Sequence, residues 1–531
     1  EDQQEYDIEE LEEFEEFDEE DIKSATVIDL DKFERQLHSM EQQQKLSRAH
    51  ELSSLVQEEC GKRYLIFVLQ NNLASIKLCK TLLKQLDDVS DDIKPLIINV
   101  CSNHVGKLSE SQQKIIFNEA IPFINSAFVQ TFFVSFFKQL SQVQQLRYAR
   151  KLTKQILYSE GSNYKKLVTI FKNQSNDFIY HIVTNFIREF TIYQQQCRQG
   201  KSPMLFSAVK KINRTTKKQK TGNVSSEEKC AEKLASEQLF EFISLQTVLV
   251  TMLKPDQVIQ LQYPLVEMTL YCFSYLVNYP RAFPFILLQI QVLTKNLNCY
   301  IPFQQLFIQI LVYCALPLSK SSLDVNPQQY KAKLFDAQGQ VTFSKHKFVP
   351  QQFTKTLQFR EALLKLSFQT VYLYFVKQLR IQPVCFPEVS NAFRNQLSEL
   401  QKSVEGKEVS EFTGYKISYK GFQFGFQKKL VQDIKLLKQN LQKDSELVVE
   451  KRKNVNLFDA AKIKFDENFE VVKEAEKLIL KLEAEVENEV ESEVEGQNAE
   501  IEKLEQQFEE LEEFEEYEEE QEGDIVKELV L

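Results

Sequence analysis

PDQVIQLQYPLVEMTLYCFSYLVNYPRAFPFILLQIQVLTKNLNCYIPFQQLFIQILVYCALP, residues 255–317, decides the fold, because prolines punctuate its apolar runs at Pro264, Pro280, Pro284, Pro302 and Pro317. Proline lacks an amide hydrogen and its ring clashes with the preceding turn, so a helix tolerates it in the first turn and is penalised by it in the interior. The spacing therefore predicts helices that start at Pro264, Pro284 and Pro302. Leu265, Val266, Met268, Leu270, Phe273, Tyr275, Leu276 and Val277 then cover most of the circumference of the first one. A helix that apolar needs neighbours on more than one side. The expectation is a stack of buried helices.

A chain of 531 residues has room for three or so compact domains or for one elongated repeat structure. Composition favours the repeat. Only 12 residues are glycine, far fewer than phosphate loops, tight β-turns and strained elbows demand. Long Leu, Gln, Lys, Glu and Phe-rich stretches predict an all-α chain, a HEAT/armadillo-like helical repeat solenoid with disordered acidic tails. Its expected parts are an acidic tail at 1–24, N-terminal helical repeats at 25–199, a basic loop or linker at 200–234, a second helical repeat domain at 235–460, and an acidic, partly helical C-terminal tail at 461–531.

Nine scattered cysteines with no Cys-x-x-Cys pair argue against zinc sites and disulfide frameworks. Most sit in apolar runs, as small buried hydrophobes of a reducing compartment do. The chain begins with Glu1, without an initiator methionine or a visible signal peptide, so the true N-terminus is expected upstream. The uncharged stretches 120–137 and 296–319 approach the length of a bilayer span. Each carries a proline and several Asn, Gln or Ser residues, which predicts buried repeat helices and no membrane role.

Charge is distributed unevenly. Residues 1–21 hold 14 acids and no base, and 483–528 hold 22 acids against Lys503 and Lys527, so a chain of net charge −12 has a body carrying +22. A basic body between acidic ends suits proteins that handle nucleic acid or very basic partners; solvated surface charge is the plainer alternative. LEEFEEFDEE at 11–20 nearly repeats as LEEFEEYEEE at 511–520, through compositional drift or as a duplicated motif that docks on a basic partner.

Three basic segments are candidates for nucleic-acid contact or nuclear localisation. Lys210, Lys211, Arg214, Lys217, Lys218 and Lys220 crowd a loop that glycine, asparagine and serines follow. EFTGYKISYKGFQFGFQKKL at 411–430 interleaves aromatics with Lys416, Lys420, Lys428 and Lys429, a pattern open to two readings: a stacking platform for single-stranded RNA, or a packed edge segment. Lys451, Arg452 and Lys453 end the amphipathic helix that follows. The interior break at 318–350 is long enough to be functional or partner-bound.

No catalytic constellation stands out. The chain has no phosphate loop ending in Lys-Ser/Thr, no His-Glu-x-x-His, no Gly-x-Ser-x-Gly and no EF-hand loop. The five histidines lack ligand spacing, and carboxylates such as Glu267, Glu361 and Glu388 have no nameable partner. A non-enzyme without cofactor, metal or small-molecule substrate is expected.

From Leu261 to Leu311 the sequence resembles the nucleolar complex protein 2 family of large-ribosomal-subunit assembly factors. The motifs that carry the resemblance are Tyr263-Pro264-Leu265, Phe283-Pro284 and Ile301-Pro302, followed by Phe359-Arg360-Glu361, Phe386-Pro387-Glu388 and the basic helix at 427–453, which ends in a Lys/Arg cluster. It covers about 237–458, in order and with matching spacing, and departs from the family in lacking tryptophan and in having Phe285 after Pro284. The resemblance implies a helical scaffold that binds nucleolar complex proteins 1 and 3 and acts in the pre-60S particle. It implies location in the nucleus, in nucleolus and nucleoplasm. The motif residues, on apolar helix faces near 255–317 and 353–400, would form the partner interface, and the basic segments would approach pre-rRNA. The competing reading from another class is a helical-repeat transport or sorting adaptor.

Overall fold

The computed structural model describes residues 76–84, 94–159, 163–201, 204–206, 226–316, 334–335, 341–343, 347–405, 411–412, 415–416, 424–453 and 469–477. The acidic ends, the basic loop from Lys210 to Lys220, and Lys420 lie outside them. Contacts divide the chain into Glu1–Leu140 and Ser141–Leu531.

In the first unit, helices α1 (Ile76–Lys84), α2 (Lys94–Val105), α3 (Glu110–Ala120) and α4 (Ala127–Lys138) pack on the next helix or the next but one, α1 on α2 and α3, and α2 on α4. Neighbour-on-neighbour packing is the logic of a helical repeat. Ser109 starts α3 with a capping box: its backbone N–H donates to Gln112 Oε1 at 3.0 Å, and its hydroxyl accepts from the Gln112 N–H. The apolar stretch 120–137 is broken at Ile121–Phe123, one turn of 3-10 helix around Pro122. Phe132, Phe133, Phe136 and Phe137 are buried in the core, where Phe117 lies 5.4 Å from Phe133 and 5.6 Å from Phe136, ring centre to ring centre. Among the described residues no helix is long and apolar enough to cross a membrane.

The second unit runs through α5 (Gln142–Leu157), α6 (Tyr164–Phe171), α7 (Asn176–Arg198), α8 (Ser226–Leu234), α9 (Glu237–Thr251), α10 (Pro255–Leu276), α11 (Phe283–Asn296), α12 (Gln304–Ala315), α13 (Leu357–Ile381), α14 (Phe386–Val404) and α15 (Phe424–Lys453). Its hub is α9, which touches α5, α6, α7, α10 and α11. Phe240, Phe242, Ile243, Leu245, Leu249 and Val250 are all buried around it, together with Ser244, Gln246 and Thr247. The polar members turn inward on the helix itself: Thr247 Oγ1 donates to the Ile243 carbonyl at 2.8 Å and Gln246 Nε2 to the Phe242 carbonyl at 3.3 Å. The helix with neighbours all round therefore precedes residues 255–317.

Two proline readings need correction. Pro264 does not start a helix: α10 begins at Pro255, with Lys254 at the N-cap position, and Pro264 falls in its interior. Leu261, Leu265, Thr269, Cys272, Phe273 and Leu276 form one continuous buried stripe on both sides of it. Full burial of each large apolar side chain contributes about 1.5–3 kcal/mol, so the stripe outweighs the roughly 3 kcal/mol penalty of an interior proline. Pro302 also stands outside its helix, since Phe303 is the N-cap and α12 starts at Gln304. Pro284 sits in the first turn of α11 as expected. Nor is α10 buried all round: Asp256, Ile259, Gln260, Tyr263, Glu267, Tyr271 and Ser274 form an exposed stripe.

Helices α14 and α15 form an antiparallel hairpin, in which Glu388 faces Arg452 at one end and Glu405 faces Lys435 at the other. Between them a two-stranded ribbon pairs Glu411–Phe412 with Tyr415–Lys416. The alternating aromatic stretch 411–430 is thus divided. From Phe424 onward it is helix, and Phe426 is buried. Of the described cysteines, Cys79, Cys101, Cys197, Cys230, Cys272 and Cys314 are buried, Cys299 is half-buried and Cys385 is exposed; all are free thiols.

Candidate functional site

Most of the motif residues are frame rather than surface. Leu265, Phe283, Ile301, Phe359 and Phe386 are buried, as are Pro284 and Pro387. Phe283 meets Tyr313 edge-on at 5.2 Å, Phe359 meets Phe343 and Phe353 at 6.0 Å, and Phe386 meets Phe375 at 6.0 Å. The Ile301 carbonyl accepts a hydrogen bond from the Tyr374 hydroxyl at 2.9 Å. Edge-on pairs add about 0.5–1.5 kcal/mol each beyond the area they bury. These side chains lock α11, α12, α13 and α14 together, which explains why residues of this size and shape occupy the positions.

Arg360 is almost fully buried, and its Nη1 donates to the Tyr313 carbonyl in the last turn of α12. The guanidinium lies 3.8 Å from the centre of the Tyr313 ring. The same carbonyl also accepts the Leu316 N–H at 3.2 Å, and a cation at a helix C-terminus faces the negative end of the dipole. Arg360 is therefore the C-terminal clamp of α12. Glu361, next to it, is exposed and lines a cavity of about 300 Å³ with Tyr372, Lys429, Asp433 and Glu474. Glu361 and Lys429, expected to serve different partners, are thus brought to one cavity. Burial raises the Asp433 carboxyl above its ordinary value, and Glu474 adds to the effect while Lys429 opposes it. Lys365 lines the cavity as well, and among its described lining residues there is no Ser, Thr, Cys or His.

The basic C-terminal cluster is partly spoken for. Arg452 donates to both oxygens of Glu388 at 2.7 Å, and Lys451 lies 5.3 Å from the centre of the Phe469 ring. Lys428, Lys429 and Lys453 are exposed. Lys416 belongs to the second strand of the ribbon.

Buried carboxylates cap helices rather than face a substrate. Glu241 accepts the Tyr164 N–H that opens α6 at 2.7 Å, and Asp444 accepts the Glu470 and Val471 N–H groups at 2.8 and 2.9 Å. Both carboxyls are pushed above their ordinary values by burial, Asp444 up to about 6. The end of the 318–350 break is held in the same manner: Lys347 bonds both Glu237 oxygens at 2.6 Å, and the Val349 N–H donates to the Arg281 carbonyl at 3.0 Å. Sequence reasoning missed these clamps. Only Glu237, acidic in the first turn of α9, carried a local signal, because negative charge favours that position.

One apolar face open to a partner is the outer face of α10. Ile259 is 74% and Tyr263 70% exposed, with Tyr271 on the same stripe. Among the described residues no group of three or more His, Cys, Asp or Glu side chains is placed to hold a metal ion.

A family model described as Noc2p family matches residues 238–518. The match opens on the hub helix α9 and extends about sixty residues beyond 458, into the acidic C-terminal stretch. No curated protein matches the chain.

Proposed function

This chain belongs to the Noc2p family, and from that membership we propose that it is a non-catalytic scaffold in biogenesis of the large ribosomal subunit. In this reading it binds nucleolar complex proteins 1 and 3, accompanies the pre-60S particle from nucleolus to nucleoplasm, and approaches pre-rRNA through its basic segments. The family match is the observation that carries the reading. The structure is compatible with it: buried motif residues make a rigid frame, and the frame presents Ile259, Tyr263 and Tyr271 on an open helix face. Tyrosine on an exposed face supplies large contact area at low conformational cost.

The deciding experiment is sedimentation of the tagged chain from nuclear extract, followed by identification of the co-purified proteins and RNA. Co-migration with pre-60S particles and recovery of the two nucleolar complex proteins is the expected result. Migration away from those particles, with transport or sorting machinery, would overturn the reading in favour of an adaptor.

A further inference from the structure

A cationic cleft on α5 stands apart from every segment considered so far. The helix sequence QVQQLRYARKLTKQIL contains four cations and no acid. Arg147, Arg150, Lys151 and Lys154 recur at i, i+3, i+4 and i+7, which places them on one face within about 10 Å of helix axis. The opposite face, Tyr148, Ala149, Leu152, Ile156 and Leu157, is buried. The four cations line a cavity of about 500 Å³ together with Asn185, Phe206, the exposed Val143 and the half-buried Leu146. None of its lining residues is acidic. Glu189, on α7, pairs with Arg150.

Phe206 gives the cleft its second character. Its backbone φ is +61°, in the left-handed region that a bulky residue rarely adopts. The ring is held there by edge-on contacts with the buried Phe186 at 5.3 Å and at 5.2 Å with the buried Phe242. The preceding residue is anchored as well, its N–H donating to the Tyr158 hydroxyl at 2.9 Å. A half-buried aromatic ring is therefore fixed beside a row of cations, with Arg150 6.0 Å above it.

We propose that this cleft binds single-stranded RNA, the cations following consecutive phosphates and Phe206 stacking an unpaired base. Guanidinium groups match phosphate geometry, lysines add point charge, and an aromatic face accepts any base. Asn185, whose Nδ2 already donates to the His181 carbonyl at 2.7 Å, supplies its Oδ1 to a base edge or a 2′-hydroxyl. The choice of RNA over an acidic peptide rests on the reading above, that the chain works on a pre-ribosomal particle, and on the pairing of a cation row with a fixed ring.

The test is fluorescence anisotropy of the full chain with a labelled single-stranded oligouridine, titrated at several salt concentrations. Each phosphate contact contributes about 0.7 to the slope of log affinity against log salt. The triple variant R147Q/K151Q/K154Q should flatten the slope by about 2. The charge-keeping variant K151R/K154R should retain it. F206L should weaken binding about tenfold at unchanged slope. An unchanged slope and affinity in the triple variant would overturn the proposal. It would also be overturned if a synthetic peptide of residues 508–521, and not the oligouridine, bound in a manner that the triple variant abolishes. The two readings fail separately: wild-type chain absent from pre-60S fractions but binding RNA through the cleft would sink the scaffold reading alone. Co-sedimentation with a triple variant indistinguishable in RNA binding would sink the cleft alone.

Discussion

Glu388, in the first turn of α14, accepts two hydrogen bonds of 2.7 Å from Arg452, in the last turn of α15. Each charge lies at the helix end whose dipole it complements, and together they close the open end of an antiparallel hairpin. The Arg452 hydrogen bonds hold the Glu388 carboxyl below its ordinary value. The pair is partly exposed, so its worth is modest. A double-mutant cycle with E388Q and R452Q should give a coupling of about 0.5–1 kcal/mol, shrinking in high salt. Because the folded-state value is depressed, the contribution is present above the unfolded glutamate range and is lost as pH falls through the folded value. Urea midpoints at neutral and acidic pH measure it.

Asp444 has the opposite sign. Its carboxyl is raised from 3.8 to about 6, chiefly by burial, while the two N–H bonds that it accepts pull the other way. The folded state therefore takes up a proton, and stability falls as pH rises from about 4 to above 6, by about 3 kcal/mol at most at ~1.4 kcal/mol per unit. D444N keeps the shape and cannot ionise. The difference in urea midpoint between wild type and D444N should change with pH across that window and stay flat above it.

Pro264 is the position where a stabilising substitution is expected. Alanine restores an amide hydrogen beneath the Gln260 carbonyl and removes the ring clash, within a helix already continuous on both sides. P264A should gain about 1–3 kcal/mol with an unchanged denaturant slope. Thermal and urea unfolding both report it.

Arg360 should behave as a clamp and not as a contact for a partner. R360M leaves the Tyr313 carbonyl without its cation and removes the ring contact, although it also relieves a buried Nε that has no acceptor. A net loss of about 1–3 kcal/mol is expected. Affinity for the proposed partners, measured on the folded fraction, should stay within about twofold.

Tyr263 and Phe386 separate surface from frame. Y263S, on the open face of α10, should alter stability by less than about 0.5 kcal/mol and weaken binding of a nucleolar complex protein about tenfold or more. F386A should cost about 3–5 kcal/mol of stability. Paired denaturation and pull-down measurements on both variants check the division.

Much was legible without coordinates, for local reasons. Helical periodicity and the first-turn placement of Pro284 depend on residues within a turn or two of each other. The motif order from Tyr263 to Glu388 was readable because packing shapes recur at fixed spacing. What those residues do was not readable. Phe359 and Phe386 show the same apolar character whether they meet a partner or their own core.

The sequence by itself determined that this chain is helical, that its ends are acidic and its body basic, and that its motifs resemble those of the family whose model matches it. Tertiary structure decided that α9 is the hub, that Pro264 lies inside a helix, that Arg452 serves Glu388, and that the cations of α5 share a cleft with Phe206. The reason is range. Propensity, capping and proline geometry act over a few residues, whereas the competition between a helix-breaking proline and a buried stripe, or the meeting of two charges 64 residues apart, depends on what the folded chain brings alongside.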